Sequence, residues 1–206
     1  MSLRDPDHQK LIETAARTGC ERAGSALGTM LGREVTARHI DVTYLESASG
    51  AILASLDVRH DHAAIGRLDV AGPEVVGSAF VVMSSRSVTE LLTAFEIDNA
   101  TLENPGEIGT SMLCEVSNIT ASSYLNALAD AWDIELVTGP PTLELAARGL
   151  SPEMEESSQR QGPALVFRSE FRAAAADDDH GSDGIFELSL IMLVDTAGVP
   201  LFAHSV

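Results

Sequence analysis

Two stretches of the chain keep apolar residues at helical spacing for about seven turns each, and each then runs into a strand-like segment. This recurrence constrains the fold more than any single motif. In the first stretch, Leu11, Ile12, Ala15, Ala16, Cys20, Ala23, Leu27, Met30 and Leu31 mark one face of a helix from about Asp7 to Leu31, with Gly32 placed to stop it. In the second, Asn104 and Pro105 form an N-cap and N1 pair for a helix reaching about Trp132. Laying Ala26-Leu27-Gly28-Thr29 over Ala127-Leu128-Ala129-Asp130 aligns the helices at an offset of 101 residues and sets Val35 over Leu136 in the strands that follow.

The segments between them read as sheet. Val35–Leu45, Ala63–Val70 and Val75–Ser84 have strand-like patterning, the last two parted by Ala71-Gly72-Pro73, and Ser87-Val88-Thr89-Glu90 fits a capping box for a short helix through Phe95. The second half offers strands at Ile134–Thr138, Leu165–Ala173 and Ile185–Asp195. Gly139-Pro140-Pro141 is a break, Pro152–Gln161 a polar helix or loop, and Asp177–Gly184 a solvated acidic turn. The expected fold is therefore α+β, one domain over residues 1–206 with a pseudo-twofold internal repeat. Its halves span about 7–100 and about 104–206, with two long helices and shorter ones packed on a mostly antiparallel sheet.

Charge narrows the partners. Thirteen basic against 31 acidic side chains give a net charge of −18, which argues against nucleic acid and anionic membranes, while 45% apolar residues supply a core. No apolar run approaches the ~20 residues of a membrane span, and the N-terminus has no apolar stretch of a secretion signal. A cytoplasmic protein without membrane insertion is expected. Lys10 is the only lysine among the thirteen cations and the acids are spread along the chain, a surface suited to high salt, so a halophilic source is expected. Cys20 and Cys114 both fall in helical apolar patterns and read as reduced core thiols.

The second long helix carries the most informative residues. At 100° per residue, Ser111, Glu115, Asn118 and Ser122 fall within an arc of about 60°, opposite the expected core face of Met112, Leu113, Val116, Ile119, Ala127 and Ala131. A carboxylate and a carboxamide thus stand one turn apart between small hydroxyl residues, which leaves room for something to dock. A carboxamide can accept a hydrogen bond and donate another without ionising, which suits it to orienting water. Other constellations are weaker. His60-Asp61-His62 lacks a third ligand nearby, the Asp177–Asp183 loop lacks the spacing and terminal Glu of a calcium loop, and no phosphate-binding glycine loop or serine-nucleophile elbow occurs.

The run Ser111-x3-Glu115-x2-Asn118, followed after twenty-two residues by Pro141, resembles the signature of the CheC/CheX/FliY chemotaxis phosphatases. Glu115-Val116-Ser117-Asn118-Ile119 and Ser122-Ser123-Tyr124-Leu125-Asn126-Ala127-Leu128 look like that family's helix. The resemblance implies an enzyme that hydrolyses the aspartyl phosphate of the response regulator CheY. It gives Asn118 the positioning of water and Glu115 a salt bridge to a lysine of the regulator, with Ser111 and Pro141 as supporting motif positions. It further implies Mg²⁺ in the regulator, no metal or cofactor on this chain, and a possible CheD-type deamidase partner.

The first half departs from the pattern. At the 101-residue offset Thr14 stands where Glu115 stands and Arg17 where Asn118 stands, while Glu13 lies one position off, about 100° around the helix. The first site is therefore expected to be degenerate, leaving one active centre. That loss motivates the alternative reading: a non-catalytic adaptor that binds CheY, a CheD-type receptor deamidase, or a motor component.

Overall fold

The computed structural model describes residues 6–45, 62–73, 75–97, 101–145, 162–174 and 185–195. Among these residues three helices, α1 (Pro6–Leu31), α2 (Ser85–Ala94) and α3 (Gly106–Trp132), accompany strands β1 (Val35–Leu45), β2 (His62–Ala71), β3 (Val76–Ser84), β4 (Val137–Thr138), β5 (Thr142–Leu145), β6 (Ala164–Ala174) and β7 (Ile185–Asp195). The strands form one sheet in the order β1-β6-β7-β3-β2, with β4 and β5 both on the outer edge of β2. Every pairing is antiparallel. This is the α+β arrangement expected from the sequence.

Exchanging the halves maps this order onto itself. If α3 is set on α1, then β6 falls on β2, β7 on β3, and β4 with β5 on β1; the exchange axis passes between β3 and β7, near the pair Phe80↔Ile191. The two copies differ at the edge. Strand β1 runs unbroken for 11 residues, whereas its counterpart is interrupted at Gly139-Pro140-Pro141, where proline removes the N–H donors a ladder needs. The expected strand Ile134–Thr138 accordingly shrinks to two residues. Asp133 takes a left-handed φ of 53° to end α3, the Ile134 N–H still donates to the Ala129 carbonyl at 3.1 Å, and Leu136 turns inward to be buried.

Both long helices lie on one face of the sheet, over Leu68, Val81, Met83, Phe167, Phe171, Leu188, Leu190 and Met192. They cross at Gly19, where an added Cβ would lie 3.1 Å from three atoms of the buried Tyr124 ring. Tyr124 and Trp132 both pack on Phe167, with ring centroids 6.2 and 6.1 Å apart. Side chains alternate across a strand, so Ile65, Phe80, Val82, Val166, Ile191 and Leu193 form a second buried cluster on the opposite face.

Three local expectations are corrected. The cap of α2 is Ser84, whose extended backbone ends β3 and whose Oγ accepts from the Ser87 N–H at 3.1 Å; the helix therefore starts three residues ahead of the expected box. Helix α3 starts at Gly106, not Pro105. Asn104 Oδ1 does accept from the Gly106 N–H at 3.3 Å, but Gly106 has φ +69°, outside the right-handed helical region, so Pro105 does not lead straight into regular helix. On α3, Ile119 is half-buried and Ala131 exposed, while Ser117 and Thr120 are buried because each hydroxyl donates back to the carbonyl one turn earlier. Pro152–Gln161, Asp177–Gly184, His60 and Asp61 lie outside the described residues, as does the side chain of His62. Among the described residues no helix is long and apolar enough to cross a membrane.

Candidate functional site

The inner side of α3 fixes how its outer side is presented. Strand β2 passes directly beneath Ser117, where only glycine fits: a Cβ on Gly66 would lie 1.9 Å from Ser117 Oγ. One end of the helix is held by Gly109, where an added Cβ would lie 2.9 Å from both Leu92 and Pro105. Met112, Leu113 and Val116 fill the core between these two close approaches. With that side closed, the side chains half a turn away must point outward.

The outward arc holds the residues singled out by spacing. Ser111 and Glu115 are exposed, and Asn118 and Ser122 half-buried. Glu115 and Asn118 stand about 4.5 Å apart along the helix axis. The Ser122 hydroxyl donates to the Asn118 carbonyl, so it is turned back onto the helix. Within the described residues neither the Glu115 carboxylate nor the Asn118 carboxamide has a hydrogen bond or ion pair. A carboxylate and a carboxamide held on a rigid helix, both unengaged, can together receive a cation and orient a small polar molecule.

Pro141 comes up beside this arc. Its carbonyl lies 4.0 Å from Cys114 Sγ, and Cys114 is one turn before Asn118, so the break that splits the edge strand also borders the site. Cys114 is half-buried, not the fully buried core thiol that its pattern suggested. Burial pushes its pKa up, which keeps the thiol protonated and makes it a poor nucleophile. Spacing alone could not link Cys114 to Pro141, although a cysteine flanking a polar arc was the available signal.

The corresponding face of α1 has different chemistry. Thr14 and Arg17 are both exposed, and the Thr14 hydroxyl is tied to the Lys10 carbonyl at 2.7 Å. No carboxylate–carboxamide pair occurs at these two positions. The helices themselves are joined on their outer rim by an ion pair from Arg22 to Asp130 at 2.5 Å.

Residues 108–145 match the model of the CheC-like family, a span that contains Ser111, Glu115, Asn118 and Pro141. The site-bearing segment is thus similar to that family. The fold as a whole is similar to that of FliY from Thermotoga maritima, with a TM-score of 0.62, 13% identity, and coverage of 98% of this chain and 96% of that one. It is also similar to the chemotaxis protein CheX from Desulfovibrio desulfuricans, with a TM-score of 0.54, 12% identity, and coverage of 88% and 99%. The FliM middle domain from Vibrio alginolyticus gives a TM-score of 0.54 at 14% identity, covering 94% and 98%.

Proposed function

We propose that this protein hydrolyses the aspartyl phosphate of a CheY-type response regulator and so ends a chemotactic signal. The observation that carries the reading is the unengaged Glu115–Asn118 pair on the outward arc of α3, inside the segment that matches the CheC-like family. An acyl phosphate is already reactive, so a phosphatase need only place water in line with phosphorus and tolerate charge on the equatorial oxygens. Asn118 accepts a hydrogen bond from that water and donates another toward the phosphoryl group. Glu115, one turn earlier, pairs with a cation of the regulator and fixes the pose. Mg²⁺ belongs to the regulator's own acidic pocket, where it offsets phosphoryl charge.

The decisive experiment follows the decay of aspartyl phosphate on a CheY from the same organism, with Mg²⁺ and at high salt, using wild-type protein and Asn118→Ala. Acceleration by wild type alone supports the reading; no acceleration despite binding to the regulator overturns it. A second reading, a non-catalytic adaptor binding CheY, a CheD-type receptor deamidase or a motor component, is favoured by one observation: α1 carries Thr14 and Arg17 where the pair should repeat. Binding without acceleration is the result it requires.

A further inference from the structure

The outward arc of α3 does not end at Ser111. Nearly one turn closer to the N-terminus stands Ile108, which is 73% exposed and lies within about 20° of Glu115 around the helix. The other large apolar side chains of α3, from Met112 and Leu113 to Leu128 and Trp132, are buried or half-buried. The next residue, Gly109, faces the other way and is buried, with no room for a Cβ against Leu92 and Pro105.

The sheet edge carries a further exposed apolar side chain, Leu145. Ser117 sits over Gly66, and β4, which follows the helix, pairs with Val70 and Ala71. Strand β5 therefore runs back toward the N-terminal end of α3 and finishes at Leu145, opposite Ala64 and 36% exposed. The arc thus has two chemistries in line. Glu115 and Asn118 supply charge and hydrogen bonding, and about 10 Å along the axis from Glu115 Ile108 supplies apolar area.

We propose that Ile108 is the apolar anchor through which the regulator docks, setting affinity while Asn118 sets rate. This rests on the phosphatase reading above. Charge explains why such an anchor is needed: a chain of net charge −18 approaching an acidic, Mg²⁺-holding pocket gains little from long-range attraction, so affinity must come from local contact. Burying an isoleucine is worth about tenfold or more in affinity, and unlike an ion pair it survives salt.

The test uses a CheY-type regulator from the same organism, phosphorylated with acetyl phosphate for turnover and loaded with beryllofluoride and Mg²⁺ for binding. Ile108→Ser should raise KM and Kd about tenfold and leave kcat at the wild-type value, with Ile108→Leu recovering most of the affinity. The Ile108→Ser defect should persist at ~1 M salt, where the Glu115 contribution fades. Unchanged KM and Kd for Ile108→Ser beside an active wild type overturn the anchor alone. A wild type that binds without accelerating decay overturns the phosphatase reading, and the Kd of Ile108→Ser still decides the anchor. Absence of any binding by the wild type overturns both.

Discussion

Gly66 and Ser117 meet so closely that a Cβ on the glycine would lie 1.9 Å from the serine Oγ and 2.5 Å from its Cβ. Neither the strand nor the helix can give way cheaply, since β2 is paired on both sides and Leu113 and Val116 are fully buried. Gly66→Ala should therefore destabilise the fold by about 3 kcal/mol. It should also slow turnover, because Asn118 follows Ser117 in the chain. Urea denaturation and the phosphate-decay assay read the two effects, and Ser117→Gly in the same protein should recover part of the stability.

Glu115 and Asn118 should fail in different ways. Asn118→Ala should lower kcat with little change in half-saturation, since in the proposed phosphatase the carboxamide acts on water in the transition state. Glu115→Ala should raise KM and flatten its dependence on salt. Thr14→Ala and Arg17→Ala should leave both constants unchanged, and an equal loss from either would contradict a single working centre.

The core sets an alkaline limit on stability. Burial pushes the Cys20 and Cys114 thiols above their usual 9.0, and the Tyr124 phenol well above its usual 10.0. The folded chain then holds these protons more tightly than the unfolded chain does, so this stabilisation is complete below pH 9.0 and declines as pH rises past it. Once the unfolded phenol ionises, the loss from Tyr124 alone should approach about 1.4 kcal/mol per pH unit. In a Tyr44→Phe protein, phenolate absorbance should appear only as the fold is lost.

The Arg22–Asp130 pair joins the two long helices, but its side chains are 48% and 65% exposed. Asp130→Asn should cost under roughly 0.5 kcal/mol in dilute buffer and nothing measurable near 1 M salt. A larger loss in thermal melts would mean that the helix crossing depends on this rim and not on the contact at Gly19 and Tyr124.

The long helices were legible because their apolar spacing persists for many turns, and β1 and β7 match their expected bounds because alternation or apolar runs end at clear breaks. The duplicated element order was legible for the same reason. The outward position of Glu115 and Asn118 followed from helical angle alone. What the pattern could not convey was contact across elements. That Gly66 lies under Ser117, or Pro141 beside Cys114, depends on which strand passes beneath which turn. Ser117 and Thr120 are buried despite their hydroxyls because each bonds to its own helix, which a polar–apolar pattern cannot register.

The interrupted edge at Gly139-Pro140-Pro141 bears on how the molecule behaves in a crowded solution. A row of free amides and carbonyls along a sheet margin is a template on which another chain can add a strand and start aggregation. Beside the candidate site that margin comes in two pieces of 2 and 4 residues, parted by residues that offer few donors. Among the described residues, this margin discourages growth by backbone pairing.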